Sequence, residues 1–311
     1  MKSKINGRIV LSIPIILLMI LIPINSVCTQ IPPSYRGHVF DGANIRVGLN
    51  DYGVLGVIDE DLGEVGLQFP KGSQYESLAV GWWGDGWSVF YDEASAGFSP
   101  DDEAWGSIED VIPEVWVTPV RDGWIKTCML TTNDGQLEIT FKFKVMPTKN
   151  FLVLVMFIKN VGSTTIKDLE VKKIVDLDTW AYYTDYDNYW GMDDIRKPSM
   201  NLAVAFINQT ILSEIEKPIY LGFASRQKPT DYDLDWDDYV VRGIYEPFKV
   251  SLSYRGTSSE HFDGCLVYQW LFGKLKPGET KVLHFVYAAG NSLDELEKNV
   301  AQGFKMASTV R

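Results

Sequence analysis

Leu137-Glu138-Ile139-Thr140-Phe141-Lys142-Phe143-Lys144-Val145 alternates apolar and polar residues without a break. A period of two sets the apolar side chains on one face of a strand and the polar ones on the other. Pro147 to Asn150 supplies a turn, and Phe151-Leu152-Val153-Leu154-Val155-Met156-Phe157-Ile158 is then apolar throughout. So short a run, rich in Val, Ile and Phe, reads as a central strand covered on both faces, with a buried helix as the rival reading. Asn160-Val161-Gly162-Ser163 turns the chain again, and Thr165 to Val175 gives a third strand.

Outward from this centre the same grammar continues. Asn133-Asp134-Gly135 is a hairpin signal just before it, preceded by strand patterns at Val115-Trp116-Val117 and Trp124 to Leu130. From Val39 to Gly66, glycines interrupt Val, Ile and Leu, as in short strands joined by tight turns. Gly81-Trp82-Trp83-Gly84-Asp85-Gly86-Trp87 reads as a tight glycine-rich loop before Val89-Phe90-Tyr91. Acidic loops are expected from Asp92 to Asp110, from Asp185 to Asp194 and from Asp231 to Asp238. Strands return at 202–207, 219–224, 250–254, 265–272 and 280–288, with Lys276-Pro277-Gly278-Glu279 as a turn. One helix closes the chain. Ser292 caps it, Glu295 completes a capping box, and Leu293, Leu296, Val300 and Phe304 share one face. Many strands and one terminal helix predict an all-β protein, a large antiparallel β-sandwich.

The first thirty residues read differently. Lys2, Lys4 and Arg8 precede an apolar run from Ile9 to Ile24, and the small-residue stretch Ser26-Val27-Cys28-Thr29 follows. That order predicts a signal peptide or an N-terminal anchor over 1–30, hence an exported protein at the cell surface or outside the cell. Residues 31–311 hold no Pro- or Ser-rich linker and are expected to form one large domain. The 311 residues carry a formal charge of −12, which argues against nucleic acid as a partner, because phosphate binding needs a basic surface. Membrane contact is expected only through an uncleaved N-terminal segment. Cys128 and Cys265 remain after cleavage, either as one disulfide or as two buried thiols.

The turn Ile158-Lys159-Asn160-Val161-Gly162-Ser163-Thr164-Thr165-Ile166 resembles the NxGxTxI turn of secreted prokaryotic β-sandwich modules. Val175-Asp176-Leu177-Asp178 resembles their xDxD strand end, and Leu275-Lys276-Pro277-Gly278-Glu279-Thr280 their LxPGET turn. With the FPKGS and Trp-Gly pieces between Gly66 and Trp87, the chain resembles cell-surface supersandwiches of the galactose-mutarotase-like or glycosidase N-terminal kind. The resemblance implies a carbohydrate-related role, and for mutarotases a histidine–carboxylate site.

Three candidate chemistries emerge from the residues. Trp82, Trp83 and Trp87 in a glycine-rich setting suit stacking on sugar rings, with Asp85 accepting hydroxyl hydrogen bonds; packing of these indoles in the core is the alternative. Asp185, Asp187, Asn188, Asp193 and Asp194 offer the hard oxygens that Ca²⁺ takes, without the EF-hand register, or else form a solvated loop. The histidines His38, His261 and His284 show no spacing that assembles an acid–base pair. No serine nucleophile elbow, P-loop or dinucleotide fingerprint occurs. The expected function is therefore an extracellular, non-catalytic sandwich that binds carbohydrate or other surface proteins, or serves in cell-surface structure. A mutarotase or glycoside hydrolase, and a surface filament subunit, are the alternatives.

Overall fold

The computed structural model describes residues 35–72, 84–99, 103–177, 194–197, 199–207, 216–235 and 265–310. In chain order its strands are β1 (Gly37–Asp41), β2 (Arg46–Asn50), β3 (Val57–Asp59), β4 (Gly63–Val65), β5 (Leu67–Gln68), β6 (Asp85–Tyr91), β7 (Ala94–Ser99), β8 (Glu103–Gly106), β9 (Glu114–Val120) and β10 (Gly123–Thr131). They continue as β11 (Leu137–Val145), β12 (Phe151–Asn160), β13 (Ile166–Asp176), β14 (Asp194–Lys197), β15 (Leu202–Ile207), β16 (Ile219–Ser225), β17 (Asp231–Asp235), β18 (Cys265–Leu275) and β19 (Thr280–Gly290), followed by helix α1 (Leu293–Ala307).

Two antiparallel sheets make the sandwich. One has eight strands in the order β14-β15-β16-β19-β12-β11-β10-β9, the other six in the order β17-β18-β13-β6-β7-β8. The alternation in β11 is obeyed residue by residue: Leu137, Ile139, Phe141, Phe143 and Val145 are buried, and the polar residues between them only half-buried. Opposite the last four on β12 stand Ile158, Met156, Leu154 and Leu152, so those rows are apolar on both strands, while Leu137 faces the buried Asn160. From the six-stranded sheet Trp87, Val89, Tyr91, Val171, Val175 and Tyr268 face this surface and complete one core.

The other face of β12 explains its uninterrupted apolar run. Phe151, Val153 and Val155 pack beneath α1 with Leu296, Val300 and Ala307. The central-strand reading of 151–158 therefore holds, because helix and opposing sheet cover one face each. At Gly303 the helix comes so close that a Cβ would stand 2.6 Å from Val286 Cγ1, room that only glycine leaves. Ser292 caps α1 as expected, its Oγ accepting from the Glu295 N–H at 3.2 Å. Glu295 reaches back one residue further than a standard box, accepting from the Asn291 N–H at 2.9 Å. Ser292→Ala should lower stability by about 1 kcal/mol in urea unfolding, the usual cost of losing a cap.

Several stretches expected as loops are strands. Asp231–Asp235 pairs with β18 as the edge of the six-stranded sheet. Backbone pairing overrides the turn preference of aspartate there, and charge on an edge strand suits a site that must not recruit another chain. The glycine-rich segment enters strand β6 at Asp85, and the Asp92–Asp110 stretch contains β7 and β8. Asp194 begins β14 and does not lie in a loop. No disulfide joins Cys128 and Cys265, which lie buried in different sheets; burial pushes the Cys128 thiol up to about 12.

Candidate functional site

The outer face of the six-stranded sheet, turned away from the core, is polar where the inner face is apolar. One row crosses it from β7 to β17 as Gly97, Ser88, Lys172, Gln269 and Asp231. The next row is Ser95, Phe90, Glu170 and Leu271. Neighbouring members of a row sit about 4.8 Å apart, the strand spacing, so the face presents its polar groups as a compact array.

Its centre is an ion pair. Lys172 Nζ lies 3.1 Å from Glu170 Oε1, with both side chains fully buried. Gln269 Nε2 donates to the same carboxylate oxygen at 2.6 Å, and the Lys172 ammonium stands 5.1 Å from the Phe90 ring centroid. Register shifts flank Leu169, just before Glu170, and Asp168 there takes φ 54°. Such a bulge re-aims the side chains that follow it. Beside Lys172 in the row, the buried Ser88 Oγ meets no hydrogen-bond partner among the described residues. A buried hydroxyl left so is costly unless something else bonds to it.

Trp105, on edge strand β8, closes the row at the other end. Its indole lies against Gly97, where a Cβ would stand 2.0 Å from Cζ2. Trp105 is half-buried, and so is Asp231 at the far end, while Ser88, Lys172 and Gln269 between them are closed to solvent.

The inner face carries a second charged group. Lys172 and Lys173 are adjacent on β13 and so point to opposite sides of the sheet. Lys173 Nζ is in contact with Asp85 Oδ1 and donates to the Gly86 carbonyl at 3.1 Å. The Tyr287 hydroxyl lies 3.0 and 3.2 Å from the two Asp85 oxygens, and the Leu55 N–H donates to Oδ2 at 2.8 Å. Burial raises the Asp85 carboxyl and lowers the Lys173 amine, outweighing their mutual attraction, and burial also raises Tyr287.

These positions revise the expected sugar platform. Trp87 is fully buried in the core, its indole N–H donating to the Tyr52 carbonyl at 2.8 Å and its ring 5.1 Å from Phe141. Asp85 is equally buried and bound to Lys173. Neither is presented to a ligand at the surface, because β6 is a central strand whose odd-numbered residues face inward. Trp82 and Trp83 lie outside the described residues, as do Asp185, Asp187, Asn188 and Asp193, so only Asp194 of the proposed calcium set falls on a described strand. Among the described residues no group of three His, Cys, Asp or Glu is gathered for a metal ion. His38 lies on β1, 3.9 Å from Asp51, and His284 on β19 against Gln227. No histidine stands on the described strands of the six-stranded sheet.

Sequence reading missed Trp105, Ser88, Glu170, Lys172 and Gln269. A signal existed in Glu170-Val171-Lys172-Lys173, where charged residues fall on both faces of one predicted strand, so that one of them must lie on the core side.

No protein-family model matches the chain, and no curated protein is significantly similar to it. Solved structures that resemble the chain do so at low identity. A bacterial glucoamylase complexed with acarbose is 10% identical with a TM-score of 0.47, over 88% of this chain and 35% of that one. A putative kojibiose phosphorylase from human microbiome is 11% identical with a TM-score of 0.48, over 90% and 34%. A putative aldose 1-epimerase from Escherichia coli K12 is 11% identical with a TM-score of 0.39, over 82% and 99%. The chain thus spans about a third of the length of the glucoamylase and of the phosphorylase.

Proposed function

We propose that the protein is an exported, non-catalytic β-sandwich that binds a neutral carbohydrate at the Trp105 end of the outer face. One juxtaposition carries the reading: the half-buried Trp105 indole over Gly97, next to the buried Ser88 hydroxyl, which meets no hydrogen-bond partner among the described residues. An indole offers a pyranose its apolar face, and a few convergent polar groups fix the hydroxyls. Behind the indole, the buried Glu170–Lys172 pair with Gln269 leaves this part of the sheet without net charge, which suits an uncharged polyol better than an anion. Export rests on the basic and apolar order of the first thirty residues.

Hydrolysis requires two carboxylates around one bond, one of them protonated. Glu170 is committed to Lys172 and Gln269, which supports binding over catalysis. A filament subunit requires an edge that accepts a strand; on the edge strand β9, Pro119 lacks a ladder donor, which counts against that use.

Calorimetric titration against a panel of neutral glucans, galactans and mannans should give saturable binding to at least one, with no release of reducing ends. Trp105→Ala should weaken that binding about tenfold, or ~1.4 kcal/mol, and leave the melting temperature nearly unchanged. Failure of the whole panel to bind, or equal affinity in Trp105→Ala, would remove the reading.

A further inference from the structure

The inner-face group has no part in the proposed glycan site, yet its chemistry is unusual for a sandwich core. An amine and a carboxyl touch, both fully buried, on neighbouring central strands 88 residues apart in sequence. Two donors, the Leu55 N–H and the Tyr287 hydroxyl, converge on the carboxyl group. Donors so placed draw electron density from Cγ and stand ready for charge that develops on its oxygens.

We propose that Lys173 and Asp85 become joined by an intramolecular amide bond after the chain folds, cross-linking β13 to β6. Burial moves both partners towards their uncharged forms, and the uncharged amine is the nucleophile, while the uncharged acid is the electrophile. Nζ attacks Asp85 Cγ, forming the C–N bond as the carbonyl electron pair moves onto oxygen. The Leu55 N–H and the Tyr287 hydroxyl hold that oxygen. The Cγ–OH bond then breaks, and its oxygen departs as water, carrying the acid's own proton and one from Nζ. The products are one amide and one water, with no change of oxidation state and no co-reactant. Fixed contact between the reacting groups replaces the encounter that makes amide formation slow in solution.

The product fits the same surroundings. The new amide N–H inherits the Gly86 carbonyl as acceptor, and the new carbonyl keeps Leu55 and Tyr287 as donors. Two ionisable groups in the core are exchanged for one satisfied polar unit, whereas an ion pair there carries its desolvation cost for as long as it persists. The link also closes a long loop, restricting the unfolded chain in the way a disulfide does.

Mass spectrometry of the folded, purified protein decides the matter. The expected mass is lower than the sequence requires by one water molecule. A tryptic digest should lack cleavage after Lys173 and contain a branched peptide joining the Asp85 and Lys173 segments. Asp85→Ala and Lys173→Arg should each restore the full sequence mass; because peptides are read after denaturation, a poorly folding variant remains informative. A wild-type chain of full sequence mass, with only linear peptides from the two segments, would overturn the proposal and leave an ion pair.

Discussion

Asp85→Ala is expected to lower stability by about 3–5 kcal/mol, the range for removing one partner of a buried charge pair and close to that for losing a covalent cross-link. The substitution strips Lys173 of its partner, ionic or amide-linked, and leaves the Tyr287 hydroxyl and Leu55 N–H without their common acceptor. The loss should also depend on pH. With no carboxylate to raise it, the buried Lys173 amine stays below the usual lysine range in the folded variant. The unfolded chain then binds more protons than the folded one, so the variant's stability rises with pH and is lost as pH falls. Urea unfolding of Asp85→Ala at about pH 7 and about pH 9 should show the smaller deficit at the higher pH. An equal deficit at both would mean that Lys173 escapes to solvent in the variant.

Trp87→Ala is the second large effect. The indole is fully buried, stacks at a tilt on Phe141 and satisfies its N–H on the Tyr52 carbonyl. Truncation leaves a cavity between the sheets and orphans that carbonyl, for a cost of about 3–5 kcal/mol. Because the ring has no surface exposure, glycan affinity measured on the folded variant should match that of the unaltered chain. Trp105→Ala has the opposite signature, with affinity reduced and stability kept. Measured together, the two variants separate the packing role of tryptophan from the binding role.

These two tryptophans show how far the sequence can be read. The inward position of Trp87 was present in the chain, since Trp87, Val89 and Tyr91 alternate and belong to one face. The glycines at 81, 84 and 86 point instead to a loop, and local turn preference yields where a strand is paired on both sides. Trp105 had no such signal: four residues between acidic neighbours carry too little pattern to reveal a strand. Only the pairing of β8 with β7 brings its indole over Gly97.

What the sequence determined by itself is the β architecture and the closing helix. Period-two alternation over 137–145, the fully apolar 151–158, the Gly and Asn turns and the Ser292 cap are local properties. Each is set by backbone geometry and solvent exposure within a few residues. The tertiary structure alone decided which polar residues are buried and with whom. Lys172 and Lys173 are chemically identical neighbours, yet one meets Glu170 on the outer face and the other meets Asp85 in the core. A charged side chain is buried only where a partner offsets its desolvation; Glu170 lies two residues away on the same strand, but Asp85 and Gln269 come from other strands, placed by strand order and register that no stretch of the sequence contains on its own.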